Sequence, residues 1–412
     1  VSMIDSWNRY IDLLKRLVKD RGTGDNLIDC LFYIYVCSGK IKDSLTREVK
    51  SLRKRIYIVI GVILLIALGG IVFWSALQGN RTEHFILRHM VNENGTLATY
   101  RLEDTKAGTG EAKGREALSE SAGLWLQYTL DKDDQALFDE QVKVIQNNFV
   151  HKDQIVLWKI SEKGEIQSAT NALIDDLRII EQLYRAYEMY KEERYKNLAD
   201  QLSDAVIRYN KKDNYYVDYY DADARKQNDF ATTSYINPRA FSYMKKYGKV
   251  SAQQYQEVVQ FLADYPRHGW AFPKEYKEDG TFTYDKEVNL IDQSYVAYHR
   301  SLGGLSSDAY LEFIKKKFHE DGKLYGRYNL ETGKQTVKYE SPAAYGLTIL
   351  YVLQTGDTKF AKELYDHMST FRNDNVFSRY YGGYVTGENN NTHIFDNVLP
   401  LLAEIELEKS EQ

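Results

Sequence analysis

Two carboxylates fall where their surroundings suit proton chemistry. In Glu116-Ala117-Leu118-Ser119-Glu120-Ser121-Ala122-Gly123, Glu120 is flanked by hydroxyls and followed by Ala and Gly, so a ligand can approach its carboxyl closely. In Asn289-Leu290-Ile291-Asp292-Gln293-Ser294-Tyr295, Asp292 stands where an apolar-periodic helix begins. One carboxyl kept protonated and another kept ionised make a general acid and a general base. Each also fits a plainer part, Glu120 as a solvated helix charge and Asp292 as an N-cap accepting a backbone hydrogen bond. Asp285, in Phe282-Thr283-Tyr284-Asp285, competes with Asp292 for the second role. The eight histidines are scattered, without a His-x-x-x-His pair or an EF-hand loop, so neither a metal nor a cofactor is expected.

The elements that must position these groups read as helices. After residue 80, proline is absent until Pro238, and apolar residues recur at helical spacing rather than in alternation. Leu173, Leu177, Ile180, Tyr184 and Tyr187 form one such stripe. Further helices are predicted over about 116–129, 133–148, 192–210, 238–247, 251–264, 291–302, 307–319, 341–354 and 357–372. With short connections they suit helical hairpins stacked in layers or closed into a ring, and the lack of a strict repeat argues against a regular solenoid. Loops rich in Tyr, Gly, Asp and Asn interrupt them at 213–230, 270–290, 321–340 and 380–393. Gathered at one end of a toroid, these would form a groove.

The order of motifs resembles glycoside hydrolase family 8, over roughly residues 85–405. Ser119-Glu120-Ser121-Ala122-Gly123 is similar to the family's Ser-Glu-Gly segment, whose Glu is the general acid. Ala169-Thr170-Asn171-Ala172-Leu173-Ile174-Asp175 resembles its Ala-Thr-Asp-x-Asp-Leu-Asp stretch, and Asn237-Pro238-Arg239-Ala240-Phe241 its Asn-Pro-Ser-Tyr-Phe. Asp292 falls where the family's tyrosine-aspartate pair supplies the base. The departures are Asn171 and Leu173 for two aspartates, Arg239-Ala240 for Ser-Tyr, and Ile291 for the tyrosine, for which Tyr235 or Tyr243 would stand in.

The resemblance, nearest to the membrane-anchored PssZ-like exopolysaccharide hydrolases, implies an all-α (α/α)6 toroid and inverting hydrolysis of a β-linked, β-1,4 extracellular polysaccharide by endo cleavage. Such chemistry sets an acid and a base about 6.5–9.5 Å apart across the sugar. Glu120 would be the acid, Asp292 the base, and Asp175 a holder of a sugar hydroxyl. Trp125, Trp270 and Tyr284 are candidate sugar platforms, since sugar faces stack on aromatic rings, and Tyr235 and Asn237 complete the expected binding set. Trp158 suits the core better. Three other readings remain open: an inactive sugar-binding or assembly protein, a lyase using His393 and Arg239, and a protein-binding scaffold.

Composition narrows the partners. A formal net charge of -5 gives no basic footprint, so nucleic acid is excluded as an expected partner. Both cysteines, Cys30 and Cys37, precede the apolar run Ile56 to Leu77, so the rest must stand without disulfides or thiolate metal sites. The 34 tyrosines suit surfaces that are half apolar and half hydrogen-bonding, in sugar grooves as in helix packing. The uncharged run is long enough to cross a bilayer, and the preceding basic cluster Lys50 to Arg55 should stay cytoplasmic. The expected layout is a cytoplasmic segment 1–55, a transmembrane anchor 56–78 and an extracellular hydrolase domain 80–412, with polysaccharide synthesis machinery as a further partner. One reading puts the natural start near Val49, which would place the preceding residues upstream of it.

Overall fold

In a computed structural model, the chain is described over residues 12, 16, 39, 50–63, 80–103 and 112–411, and it divides into two units, residues 1–78 and 79–412. In the first unit, residues 50–63 are helical, and Ile56, Tyr57, Ile58, Val59, Ile60, Val62 and Ile63 are exposed around that helix. Among the described residues no helix is long and apolar enough to cross a membrane. Residues 64–78 of the expected anchor, and nearly all of the expected cytoplasmic segment before residue 50, lie outside the described residues.

The second unit opens with α1 (Arg81–His89). Helices then alternate between two layers: α2 (Ser119–Asp131), α3 (Gln135–Asn148), α4 (Leu173–Tyr190), α5 (Glu193–Tyr209), α6 (Pro238–Lys246), α7 (Ala252–Ala263), α8 (Leu290–Leu302), α9 (Asp308–Asp321), α10 (Pro342–Gln354), α11 (Thr358–Ser369) and α12 (Phe395–Ser410). The even-numbered helices form the inner ring: α2 packs on α4, α4 on α6, α6 on α8, α8 on α10, α10 on α12, and α12 returns to α2. Their sequences explain the placement. In α2 every residue from Ser121 to Leu130 is buried, and in α10 every residue from Pro342 to Val352, so these helices have no face to give to water. Outer α5 instead buries a stripe of Tyr195, Leu198, Ala199, Leu202, Ala205 and Val206, leaving charged residues outside. This is the helical-hairpin ring expected from the hydrophobic pattern.

Most predicted helices lie within two or three residues of the observed ones. Two were not foreseen. The nine-residue α1 lacks the Asn-Pro start that marks the equally short α6, and α12 runs through Pro400, which sequence rules place outside a helix interior. The connections between helices also hold short antiparallel ribbons: β1 (Ala117–Leu118) with β2 (Lys159–Ile160), β3 (Lys211–Lys212) with β4 (Tyr215–Tyr216), and β5 (Tyr220–Asp221) with β6 (Lys226–Gln227). β7 (Phe230–Thr232), β8 (Glu275–Lys277) and β9 (Phe282–Thr283) make a three-stranded sheet, and β10 (Glu287–Asn289) pairs with β11 (Arg327–Asn329). Two ribbons matter for the site. β1 leads directly into α2 and β10 directly into α8, so each fixes the first turn of an inner helix.

Candidate active site

Glu120, Asp175 and Asp292 all sit in the first turn of an inner helix, at the same end of the ring. None is spent on capping. The N-cap residues of α2 and α4, Leu118 and Ala172, offer no side-chain cap. At α8 the cap is Asn289, whose side chain accepts from the Ile291 N–H at 2.9 Å. The N-cap reading of Asp292 is thereby excluded, and its carboxylate is left for other work.

Each helix start is pinned by its neighbours. The Ser119 N–H donates to the Trp158 carbonyl at 3.0 Å, and the Leu173 N–H to the Asp218 carbonyl at 2.8 Å. The Ser119 hydroxyl donates to Asp175 Oδ2 at 2.5 Å, and Arg178 Nη1 to Asp175 Oδ1 at 3.1 Å, so both oxygens of Asp175 are held. Arg178 also donates from Nη2 to the Tyr295 hydroxyl at 3.3 Å, tying α4 to α8. Burial pushes the Asp175 carboxyl up, with Arg178 and Ser119 opposing it.

Glu120 is half-buried and, among the described residues, makes no hydrogen bond to the protein. Its carboxyl is pushed up to about 8, first by desolvation and then by the negative charge of Asp175, with a smaller push from Asp292; Arg178 works against these. It is therefore protonated at neutral pH despite the helix N-terminus, which favours the ionised form. The same charges, with Asp218, act on the Tyr235 hydroxyl and raise it well above its ordinary value, though its burial is the larger cause. Tyr235 belongs to the short turn Thr233–Tyr235, which packs against α4 and α8, so it faces the same space.

Asp292 shares Oδ2 with Lys274 Nζ at 2.6 Å, but the pair is open, its side chains 26% and 30% exposed, and Oδ1 has no partner among the described residues. Gln293 explains how Lys274 arrives there: its side-chain oxygen accepts from the Phe272 N–H at 2.7 Å and its amide donates to the Phe272 carbonyl at 3.2 Å, clamping that loop to α8. Asp285 is exposed and acts electrostatically on Lys274. A cavity of about 20 Å³, room for one water, lies inside the ring between Gln127, Arg178, Glu181, Tyr295 and Tyr298.

Several expected binding residues are placed elsewhere. Trp125 is 3% exposed and packs on Tyr128 within the core, because α2 has no exposed face for it. Asn237 caps α6 and gives its amide to Glu181 Oε2 at 2.7 Å, so it is a structural residue. Trp270 spends one ring face on Phe313, stacked at 3.8 Å, and packs on the core. Tyr284 stays at the surface, its hydroxyl donating to the Pro266 carbonyl at 2.8 Å. Tyr243 is stacked with Tyr184 between α4 and α6, away from the carboxylates, which leaves Tyr235 as the tyrosine at the mouth. Trp158 is partly exposed beside α2, with Lys159 over its ring at 4.9 Å, rather than core. Sequence reasoning overlooked Lys274, Arg178 and Ser119. The i,i+3 spacing of Asp175 and Arg178 was the available signal for one of them.

The groups offered for lyase chemistry are each engaged within the fold. Arg239 pairs with buried Glu181 at 2.6 Å. Burial pushes the Glu181 carboxyl up, but Arg239 and Arg185 outweigh it and hold the acid ionised. His393 accepts the Phe395 N–H at Nδ1 and packs against Tyr100 at the start of α12. Asn171, the residue in place of a family aspartate, bridges Asp176 and Asn210 and accepts the Tyr220 N–H at 2.7 Å, an internal structural role.

Comparison with known proteins gives a consistent result. The family described as glycosyl hydrolases family 8 matches residues 65–273, a span that includes Glu120 and Asp175 and ends before Asp292. YdaJ of Bacillus subtilis (strain 168), named as a candidate lipoprotein, is 34% identical over 369 residues, which is 85% of this chain and 98% of YdaJ. Among solved structures, one titled a novel alpha-amylase from Clostridium perfringens has a TM-score of 0.73 at 24% identity, covering 79% of this chain and 96% of that one. PssZ from Listeria monocytogenes follows with a TM-score of 0.64 at 24% identity, covering 79% and 95%. An endo-1,4-D-glucanase from Vibrio fischeri has 0.59 at 14%, covering 78% and 93%.

Proposed function

The chain belongs to glycosyl hydrolases family 8 and is an inverting glycoside hydrolase, and on that premise we propose that Glu120 is its general acid, Asp292 its general base and Asp175 the carboxylate that holds a sugar hydroxyl. The observation that carries this is the contrast between two carboxyls at one mouth. Among the described residues Glu120, its carboxyl pushed up to about 8, makes no hydrogen bond to the protein, while Asp292 is salt-bridged through one oxygen and open through the other.

In the reaction, Asp292 Oδ1 takes a proton from water as the water oxygen bonds to the anomeric carbon, and Glu120 gives its proton to the departing glycosidic oxygen. The two carboxyls end with exchanged protonation, and solvent resets them. Lys274 holds one oxygen of the base, and Arg178 with Ser119 holds Asp175 in a fixed orientation. Tyr235, with a hydroxyl that has no partner among the described residues, is placed to orient the water or the sugar ring.

The substrate we propose is a β-1,4-linked exopolysaccharide cut internally. The likeness to PssZ and to the Vibrio glucanase favours it. The Clostridium structure's title speaks for α-linked glucan, so starch belongs in any panel beside glucan, chitosan, xylan and the producing cell's own polymer. We further propose that residues 56–78 are a single-pass anchor with the hydrolase unit outside the cell. The helix at 50–63 is apolar and uncovered over its last two turns, and a relative is named as a candidate lipoprotein.

The test is Glu120→Gln and Asp292→Asn, each assayed for sugar release on that panel, with early product anomers read by NMR. Both variants lose cleavage by about 10²–10⁴-fold, as expected for removal of a proton-transfer group, and the anomers of the wild type are inverted. Full activity in Asp292→Asn moves the base to Asp285, and retained configuration overturns the roles.

A further inference from the structure

We propose that the exposed side of α1 and the loop from Asp374 to Tyr381 form a second membrane contact, resting on an anionic lipid surface beside the anchor. The inference rests on the anchor reading of residues 56–78. If Leu77 ends a span, only Gln78 and Gly79 separate it from Asn80. At no more than about 3.6 Å per residue, Asn80 then lies within about 10 Å of the membrane surface.

Asn80 is fixed in the fold. It caps α1 and donates to Glu404 Oε2 at 2.7 Å, and Arg81 next to it pairs with Asp374 at 3.0 Å and lies over the Tyr381 ring at 5.9 Å. The Thr82 hydroxyl donates to the Gly382 carbonyl at 2.8 Å. Both ends of the loop are therefore held at the point where the chain enters this unit. Between them Phe377 is 94% exposed, the most exposed large hydrophobic side chain among those described, and Val376 beside it is 44% exposed. Leu87, on the outer face of α1, is 41% exposed.

The charge around these side chains suits a negatively charged surface. Arg88 and Arg379 are exposed and make no ion pair among the described residues. Burial is the main reason the His89 imidazole is held below its ordinary value, and the nearby charges of Arg88, Arg379 and Arg101 add to it. Exposed apolar side chains close in sequence to Arg88 and Arg379, in a loop whose Tyr380 and Tyr381 lie under Arg101, Arg379 and Arg81, have the composition of a membrane-interface patch. Each basic residue near an anionic leaflet adds about five-fold to the docked population.

The experiment uses the full chain in proteoliposomes. Cys30→Ser and Cys37→Ser clear the native thiols, Phe377→Cys carries an NBD label, and Tyr339→Cys, exposed elsewhere on the unit, is the control. Vesicles are phosphatidylcholine alone or an equimolar mixture with phosphatidylglycerol, each containing a spin-labelled lipid quencher. Quenching at position 377 that exceeds the control and rises several-fold with phosphatidylglycerol supports the proposal. Equal quenching at both positions, or no response to anionic lipid, in vesicles that keep the protein through a carbonate wash, overturns it while leaving the anchor intact. Release by the wash overturns the anchor reading and this inference with it.

Discussion

Replacing the acid should make the protein more stable as well as inactive, and the gain should depend on pH in a way that isolates one side chain. The Glu120 carboxyl has an ordinary value of 4.5 and is pushed up to about 8 in the fold. Between those points the unfolded chain has released the proton and the folded chain retains it, so stability falls as pH rises. At pH 7 the interval is two and a half units, which at about 1.36 kcal/mol each comes to about 3 kcal/mol at most, less the relief given by solvent at this half-buried site. Glu120→Gln keeps the shape and cannot ionise, so it escapes this loss. Urea unfolding of both proteins at a series of pH values provides the assay. The variant should match the wild type near pH 4.5, gain steadily up to about pH 8, and level off beyond it, while cleavage is lost throughout. Parallel stability profiles for the two proteins would refute the reasoning, since they would mean that Glu120 ionises in the fold as it does in water.

The remaining expectations concern activity and packing. Because Glu120 must be protonated to act, kcat/KM should fall about ten-fold per pH unit above about 8, and a profile still flat a full unit higher would give the acid role to another group. Trp125→Ala should cost about 3–5 kcal/mol in unfolding measurements, as for any buried aromatic, while leaving KM of the folded fraction unchanged; a raised KM would return Trp125 to the sugar site. Gly346→Ala should destabilise by about 1–3 kcal/mol, because its Cβ would meet the Leu399 carbonyl carbon at 2.6 Å and backbone cannot yield cheaply; a neutral result in thermal melts would show that α10 and α12 can part without loss.

The ring was legible in the sequence because its helices repeat apolar residues at helical spacing, although the inner ones also bury polar side chains such as Asp175, Arg178 and Glu181 of α4. Leu173 to Tyr184 predicted α4, and all of those positions are buried. α12 was not legible, since Pro400 breaks the helix rule and is tolerated here where Gly346 lets the two backbones meet. At the site, Glu120 and Asp292 could be picked out because small or capping neighbours mark the first turn of a helix. Aromatic side chains could not be sorted in the same way: Trp125 lies only five residues past Glu120, yet more than one helical turn carries it down into the core. Asn237 was misread although Asn before Pro at a helix start is itself a capping signature. Lys274 was invisible because the clamp that delivers it, Gln293 on the Phe272 backbone, joins residues far apart in the chain.

That the ring is completed by α12, which touches both α10 and α2, has a consequence for the growing chain. Chains emerge from their amino end, so all three carboxylates leave the ribosome well before the closing helix does. Until those last sixteen helical residues arrive, the apolar flanks of α2 and α10 face water, and the barrel is a horseshoe with an unfinished mouth. A chain broken off before residue 395 would therefore carry all three carboxylates in an unclosed ring, with apolar edges that invite aggregation or proteolysis.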